Sequence, residues 1–173
     1  MHAQAVTAAD LSALSALATE TFSETFGHLY PPEDLRAFLA RHYTSEALAA
    51  EMAGDKQFWR MIRDDDSAAV AYVQCAPVGL PHPAARPDSE GEIKRLYVHS
   101  RAQGAGLGKQ LMALALDHFA AQYGDAPQWI GVWSLNHRAQ ALYKSYGFEK
   151  VGEYQFPVGG TLDDEFILRR DPA

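Results

Sequence analysis

The chain has 173 residues, of which 47% are hydrophobic and 21% are charged, a composition typical of a soluble globular protein. The formal net charge of −7 disfavours a nucleic-acid partner and mildly favours a cationic small molecule, although solubility alone also explains it. The single cysteine, Cys75, excludes an internal disulfide and a cysteine-based zinc site. No apolar run reaches the length of a membrane span, and the first residues lack the features of a signal peptide. We therefore expect one cytoplasmic domain over residues 1–173, with no membrane or nucleic-acid partner.

The first third of the chain is predicted to be mainly helical. Residues 2–6 favour a short edge strand, and Thr7 and Asp10 then occupy the positions of a capping box. Apolar residues recur at helical spacing through the region that follows. The predicted helices are those from Thr7 to Gly27, from Pro31 and Pro32 onward, and from Thr44 or Ser45 to Gly54.

The pattern then changes to strands. Residues 56–63 and 68–76 are strand-like and flank the turn-forming residues 64–67, which predicts a hairpin. A long loop with four prolines follows, at Pro77, Pro81, Pro83 and Pro87. Loops of this length are usually functional or mobile, and a surface insertion explains the segment equally well.

The second half alternates between strands and helices. Strands are predicted at residues 92–98, 128–133, 148–156 and 164–170, helices at 107–123 and 136–146, and a turn at 158–161. A hairpin that feeds two β-α-β units indicates a mixed sheet with helices on both faces. We therefore expect the fold class α/β, of the α+β type.

A glycine-rich loop lies between the strand at 92–98 and the helix that follows it. The sequence Gln103-Gly104-Ala105-Gly106-Leu107-Gly108-Lys109 combines three glycines with a helix N-terminus, where free N–H groups attract phosphate. The spacing fits neither a P-loop, because Gln103 and Gln110 stand where Gly and Ser or Thr are required, nor the dinucleotide fingerprint. A different phosphate site is predicted, with a glycine-rich turn that binds nothing as the alternative.

A second motif lies on the helix at 136–146. Asn136, Ala139, Tyr143 and the pair Gly147-Phe148 follow the strand at 128–133. Seven residues separate Asn136 from Tyr143, which is 20° short of two helical turns, so both residues lie on one helix face. Asn136 also suits the N-cap position.

Together, the loop pattern Q-x-x-G-x-G and this second motif resemble the GNAT superfamily of acyl-CoA-dependent N-acetyltransferases. The resemblance is strong over residues 92–170 and extends more loosely, through Glu24-Thr25-Phe26-Gly27 and Glu33-Asp34-Leu35, to the PaiA-type spermidine/spermine acetyltransferases. It implies the GNAT fold, with a mostly antiparallel central sheet of about seven strands, and acetyl-CoA as the co-substrate. The residues that it implies for binding acetyl-CoA are Leu96, Tyr97, Val98, Gln103, Gly104, Ala105, Gly106, Leu107, Gly108, Lys109, Asn136 and Tyr143.

The chemistry of N-acetylation suggests an acid and a base. A primary amine with a pKa of about 10.4 is neutral in about one molecule in 2,500 at pH 7, so a base is useful. Glu92 is the candidate base, with an exposed carboxylate at a strand edge as the alternative. Tyr143 matches the tyrosine that protonates the leaving thiolate in the family, with a core aromatic as the alternative and Tyr146 as the second candidate. The family's oxyanion donors are backbone N–H groups around Leu96 to Val98.

The acceptor pocket is predicted from aromatic residues, which can hold an ammonium group by cation–π contact. The candidate wall consists of Phe26, His28, Tyr30, Trp133 and Phe156, each of which is more often an ordinary core residue. The acidic run at residues 163–165 is able to attract a polyamine, although a solvated turn is the more common arrangement.

The residues favour direct transfer without a metal. Cys75 lies in an apolar strand without a flanking base, which makes it a poor nucleophile, and the seven histidines show no metal-binding spacing. The resemblance therefore predicts an acetyl-CoA-dependent N-acetyltransferase that acts on a small amine, such as a polyamine, in a ternary complex. The alternatives are acetylation of a protein N-terminus, a lysine or an amino sugar, and a non-catalytic acyl-CoA sensor. The sequence leaves a homodimer open.

Overall fold

A computed structural model describes residues 2–172 and confirms the expected fold class. Two single-turn 3-10 helices, at Ala8–Asp10 and Ser100–Ala102, accompany the main elements. In chain order these elements are β1 (Ala3–Ala5), α1 (Leu11–Phe26), α2 (Pro32–His42), α3 (Ser45–Met52), β2 (Phe58–Arg63), β3 (Ala69–Pro77), β4 (Gly91–Val98), α4 (Leu107–Tyr123), β5 (Gln128–Trp133), α5 (His137–Ser145), β6 (Glu149–Val158) and β7 (Thr161–Arg170).

The seven strands form one mixed sheet in the order β1-β2-β3-β4-β5-β7-β6. Every neighbouring pair is antiparallel except β4 and β5, which are parallel. Parallel neighbours require a crossover connection, and α4 supplies it here. The expected edge strand β1 is confirmed, although it is shorter than the sequence predicts.

Helices cover both faces of the sheet, each over its own apolar core. Alternate side chains of a strand point to opposite faces, and Tyr72 and Val73 of β3 accordingly belong to different cores. The core that contains Val73 packs against α4 and α5, and the core that contains Tyr72 packs against α1 and α3. We call these the α4 face and the α1 face. A fully buried side chain such as Phe119 of α4 contributes about 2–3 kcal/mol to the free energy of unfolding.

The two parallel strands separate soon after they meet. β4 pairs with β5 at residues 91–93, and from residue 94 onward the edge of β4 that faces β5 has no strand partner among residues 2–172. A bulge starts the separation, because Gln74 pairs with Arg95 and Cys75 with Ile93, which leaves Lys94 as the extra residue. A bulge bends the strand that carries it, here β4, and this bulge lies at the residue where the pairing of β4 with β5 ends. The result is an opening in the sheet between β4 and β5.

Two predicted element boundaries are wrong for reasons that the backbone makes clear. Lys56 has a φ of +52°, which is incompatible with a strand, so β2 begins at Phe58. The turn predicted at 158–161 contracts to Gly159-Gly160, because Val158 and Thr161 still pair as the last residues of β6 and the first of β7. The acidic residues 163–165 therefore lie within β7 and not in a solvated turn.

The Pro-rich segment 78–90 is fixed to the α1 face. The buried carboxylate of Glu90 accepts hydrogen bonds from the Trp129 indole N–H at 2.7 Å and from the backbone N–H of Arg86 at 3.0 Å. Val78 and Leu80 pack with Trp129 in a small core of their own. The segment is therefore anchored in the folded structure at Val78, Leu80 and Glu90, while residues 86–89 are exposed, as expected of a surface insertion.

Candidate active site

A cavity of about 1050 Å³ occupies the opening between β4 and β5. It continues from the N-terminus of α4 on one face of the sheet to the helices of the α1 face on the other. Its lining includes the candidate residues Glu92, Leu96, Tyr97, Val98, Gln103, Gly104, Gly106, Leu107, Gly108, Lys109, Asn136, Tyr143, Phe26, Tyr30, Trp133 and Phe156. Ala105 and His28 are the two predicted site residues that do not line it.

The glycine-rich loop forms an open end of this cavity. Gly104 and Gly106 have φ values of +88° and +79°, which favour glycine, and no atom lies within 4 Å of the position that a Cβ would take at either residue. Gly106 is the N-cap of α4 and has no side chain to accept hydrogen bonds from the first turn. The first N–H groups of a helix have no partner within it, and the helix dipole adds positive charge there. The loop therefore suits an anionic group such as a pyrophosphate.

The final residues of β4 supply backbone donors beside the opening. Leu96 and Val98 pack into the α4-face core, while Tyr97 stacks on Tyr72 on the α1 face at a ring distance of 5.7 Å. Because β4 and β5 no longer pair here, the backbone edge at residues 96–98 is available to a ligand. The Gln103 side-chain amide donates to the Val98 carbonyl oxygen at 3.2 Å and ties the glycine-rich loop to this edge.

Asn136 and Tyr143 line the cavity from α5, as their shared helix face predicts. The Asn136 side chain caps the helix by accepting from the Ala139 N–H at 3.1 Å. Tyr143 is 6% exposed, and its hydroxyl forms no hydrogen bond with any other residue of the described chain. Burial, and secondarily the charge of Glu165, raises the pKa of Tyr143, so the hydroxyl stays protonated at neutral pH.

Tyr146 lies outside the cavity, where its hydroxyl donates to the Lys109 carbonyl oxygen at 3.4 Å.

Glu92 is a buried residue and not an exposed carboxylate at the edge of a strand. It is 4% exposed and belongs to β4 just before the opening. Its Oε2 accepts a hydrogen bond from the Gly79 backbone N–H at 2.7 Å and lies 3.1 Å from Lys94 Nζ. These contacts hold the carboxylate at the cavity wall.

The aromatic residues form both a wall and a core. Phe26, Tyr30 and Phe156 pack within the α1-face core, and Phe26 meets Trp133 edge-on at 5.7 Å. His28 contacts the outer side of this wall, with its ring 6.4 Å from that of Trp133. The part of the cavity beyond Glu92 is thus enclosed by four aromatic side chains, those of Phe26, Tyr30, Trp133 and Phe156.

The chain is similar to known proteins in sequence and in fold. The model of the "Acetyltransferase (GNAT) family" matches residues 13–148, which is well over half of the chain. The chain belongs to the GNAT acetyltransferase family. The uncharacterized N-acetyltransferase of the pepI 3' region of Lactobacillus delbrueckii subsp. lactis is 30% identical over 161 residues, covering 93% of this chain and 91% of that protein.

One further relative resembles this GNAT acetyltransferase in sequence, and one solved structure resembles it in fold. The spermine/spermidine N(1)-acetyltransferase of Bacillus subtilis is 31% identical over 64 residues, covering 37% of this chain and 42% of that protein. The crystal structure of the PaiA N-acetyltransferase from Thermoplasma acidophilum in complex with coenzyme A has a TM-score of 0.76 and 18% identity, with 98% of each chain covered. These findings confirm the GNAT resemblance and the GNAT fold, and the chain is an N-acetyltransferase.

The sequence did not place several polar residues in this GNAT cavity, although it indicated that the acidic run 163–165 is able to attract a polyamine. Glu165 of β7 and Tyr154 of β6 line it, and the Tyr154 hydroxyl donates to Glu165 Oε2. Asp163, two residues before Glu165 and on the same face of β7, accepts from the Tyr30 hydroxyl. The strand predicted at 164–170 contains Glu165 but omits Asp163, so the common face of these two carboxylates was not apparent from the sequence.

Another polar group closes the cavity near α3. The Arg95 guanidinium donates to Glu51 Oε2 at 2.6 Å and Oε1 at 3.0 Å, and to the Gln74 side-chain oxygen at 2.6 Å. Burial opposes ionisation of Glu51, but the hydrogen bonds and charge of Arg95 outweigh it and lower the pKa of that carboxyl group.

Cys75 is fully buried in β3, and burial raises the pKa of its thiol, so a reactive thiolate is disfavoured there. Within residues 2–172, no group of three or more His, Cys, Asp or Glu side chains is arranged to hold a metal ion. No helix in the same range combines the length and the apolar character needed to cross a membrane.

Proposed function

We propose that this GNAT enzyme transfers the acetyl group of acetyl-CoA to the primary amine of a small cationic acceptor, by direct transfer in a ternary complex. One observation carries the proposal: a single cavity connects the glycine-rich loop at the N-terminus of α4 with a carboxylate-containing pocket across the opening between β4 and β5. A donor that enters from the loop and an acceptor that enters from the other face would meet at this opening.

The residues present fit acetyl-CoA. The open glycine loop and the free N–H groups of α4 suit the pyrophosphate, and the unpaired edge at residues 96–98 suits the amide-containing arm. When bound, acetyl-CoA supplies an acetyl thioester. Cys75 is too deeply buried to accept that acetyl group, which supports direct transfer.

The chain's own residues then divide the proton transfers and the charge stabilisation. Backbone N–H groups around Leu96 to Val98 donate to the carbonyl oxygen on which negative charge develops. The Tyr143 hydroxyl, protonated at neutral pH, donates its proton to the departing sulfur. Glu92 accepts the proton that the amine loses, directly or through a water molecule.

A cationic acceptor fits the charge of the far side of the cavity. Glu92 and Glu165 line this region beside the aromatic side chains of Phe26 and Trp133, which suit an alkylammonium group. The net charge of −7 adds long-range attraction. The similarity to a spermine/spermidine acetyltransferase over 64 residues points to a polyamine as the first acceptor to test.

A panel assay tests the proposal. The protein and acetyl-CoA are incubated with spermidine, spermine, a neutral-side-chain monoamine, an amino sugar, a lysine peptide and a peptide with a free N-terminus, and free thiol is recorded. Spermidine or spermine should give the highest kcat/KM. A tenfold preference for a peptide would overturn the assignment of the acceptor. Tight coenzyme A binding without turnover of any amine would instead identify a sensor.

A further inference from the structure

Tyr154 and Glu165 form a pair that lies over a glycine of the neighbouring strand. They face each other across β6 and β7, and the Tyr154 hydroxyl donates to Glu165 Oε2. A Cβ at Gly131 of β5 would lie 2.8 Å from the Tyr154 oxygen and 3.3 Å from Glu165 Oε2. The missing side chain at Gly131 is therefore what lets this pair extend across β5 toward the opening.

Glu92 approaches the same place from the other side. It pairs with Trp129, which lies two residues before Gly131 and has the same strand face. Both carboxylates line the cavity, so they face the same space from β4 and from β7. That space adjoins the end of β4–β5 pairing, where the acetyl donor and the amine would meet.

The surroundings of Glu165 contain donors but no cation. Within residues 2–172, no Lys, Arg or His forms an ion pair with Glu165 or with Asp163, while Lys94 contacts Glu92. Among the same residues, only tyrosine hydroxyls donate to the side chains of Glu165 and Asp163. A shielded carboxylate without a positive partner is costly, and binding of an ammonium group relieves that cost.

The ionisable groups around Glu165 determine its pKa. Burial raises the pKa of this carboxyl group, the charges of Asp163 and Glu92 raise it further, and the hydrogen bond from Tyr154 lowers it, with a raised pKa as the net result. The other ionisable groups that interact with Glu165 are the phenols of Tyr30, Tyr43, Tyr97 and Tyr143.

We propose that Glu165 is a second carboxylate of the acceptor site, which binds the acceptor's ammonium group opposite Glu92, and that Tyr154 is its positioning residue. This inference rests on the proposed function, because it assumes that a cationic amine enters the cavity. Tyr154 of β6 and Glu165 of β7 do not belong to the sequence motifs that carry the family resemblance. The inference assigns part of the affinity for the acceptor to this pair.

The test measures amine binding without turnover. The protein is saturated with coenzyme A, and spermidine and butylamine are titrated by calorimetry at pH 7.5. Glu165→Gln should weaken binding at least tenfold, which corresponds to about 1.4 kcal/mol, and should leave coenzyme A affinity unchanged. The matched control is Asp164→Asn, which removes the same charge from the exposed side of β7 and should change amine binding less than twofold.

The pH dependence of amine binding separates positioning from a structural role. Tyr154→Phe removes the hydrogen bond that lowers the pKa of Glu165, so the loss of binding on acidification should begin at a higher pH than in the wild type. Gly131→Ala should also weaken binding, because the added Cβ displaces the Tyr154–Glu165 pair. Both variants should keep coenzyme A affinity, which also reports that they fold.

Two outcomes would overturn the inference. One is amine binding to Glu165→Gln within twofold of the wild type, or equal weakening by Glu165→Gln and Asp164→Asn. The other is failure of the wild-type complex to bind either amine. If the wild type turns over an amine in the panel assay and Glu165→Gln has the same KM for that amine, the proposed function stands. Only the role of Glu165 is then refuted.

Discussion

The backbone N–H of Gly79 donates a 2.7 Å hydrogen bond to Oε2 of Glu92, and so connects the Pro-rich segment to the proposed base. Leu80 and Pro81 of the same segment line the cavity. The segment therefore restricts the Glu92 side chain to the cavity wall and contributes apolar surface to the proposed acceptor region.

Glu92→Gln should lower kcat/KM for the amine by about 10² or more near pH 7, because the amide cannot accept the proton. The amide oxygen can still accept from Gly79, so the far-UV spectrum and coenzyme A affinity should stay unchanged. Steady-state kinetics across pH provide the measurement. Asp88→Asn is the control, since Asp88 is an exposed carboxylate of the same segment. Equal rates for wild type and Glu92→Gln would assign the proton transfer elsewhere.

Tyr143→Phe should lower kcat by about 10² with little change in the KM for acetyl-CoA, because only the hydroxyl is lost and the ring still packs near Phe148. The raised pKa of Tyr143 keeps the hydroxyl protonated at neutral pH, so its ionisation should cause no loss of activity below about pH 10. Tyr146→Phe provides the comparison, since that residue lies outside the cavity. Full activity of Tyr143→Phe would make the tyrosine a core residue only.

Gly106→Asp should weaken coenzyme A binding at least tenfold, or by about 1.4 kcal/mol, because it places a negative charge at the helix N-terminus that would hold the pyrophosphate. Calorimetry of the free protein measures this. Gly106→Asn is the control, since it adds a side chain of the same shape without the charge on the same backbone, with a φ of +79°, and so separates backbone strain from charge. Unchanged affinity in a folded Gly106→Asp protein would exclude the loop from the site.

The reaction with a polyamine should slow as salt is added. The net charge and carboxylates such as Glu92 and Glu165 attract a cation over a distance. The Debye screening length falls from about 10 Å at 0.1 M salt to about 3 Å at 1 M, so added salt weakens this attraction. Initial rates at low spermidine concentration give kcat/KM at each ionic strength. A monoamine such as butylamine, which has fewer charges than spermidine, is the comparison. A spermidine kcat/KM that is independent of salt would indicate an acceptor held by packing alone.

The sequence predicted most of the helices and strands. It also predicted the part of the cavity that the glycine-rich loop and α5 form, because local sequence patterns determine that part. Asn136 and Tyr143 share a helix face because seven residues nearly complete two turns, and the glycines of residues 104–108 mark a helix N-terminus directly. Neither prediction depends on how distant segments pair. The same holds for the fold class, since the alternation of strands and helices in the second half already implies a mixed sheet.

The other half of the cavity depends on long-range register. Glu165 reaches the opening only because β6 and β7 pair as far as Gly159-Gly160, and because Gly131 leaves room on the adjacent strand. The strand that the sequence predicts at 164–170 contains Glu165, but the face on which Glu165 lies follows only from the pairing with β6. The bulge at Lys94 has no local signature either, and it is what starts the separation of β4 from β5.

The Arg95–Glu51 pair should contribute to stability in a pH-dependent way. Glu51→Gln leaves the Arg95 guanidinium, which is 15% exposed, without an anion and with only neutral acceptors. Loss of one partner of a buried pair costs several kcal/mol, but the Glu51 side chain is 34% exposed, so we expect a reduction of about 1–3 kcal/mol in the free energy of unfolding at pH 7.

The sign of the pH effect follows from the lowered pKa of Glu51 in the folded protein. Its contribution is complete above the ordinary value of 4.5 and is lost as the pH falls through the folded-state value, since the protonated carboxyl no longer pairs with Arg95. The difference between wild type and Glu51→Gln, measured by urea denaturation, should therefore be constant from pH 7 to about pH 5 and shrink below pH 4.5. Glu149→Gln, at an exposed carboxylate, should change the free energy of unfolding by less than about 0.5 kcal/mol throughout. A Glu51→Gln deficit that stays the same under acid would show that the pair acts through packing and not through charge.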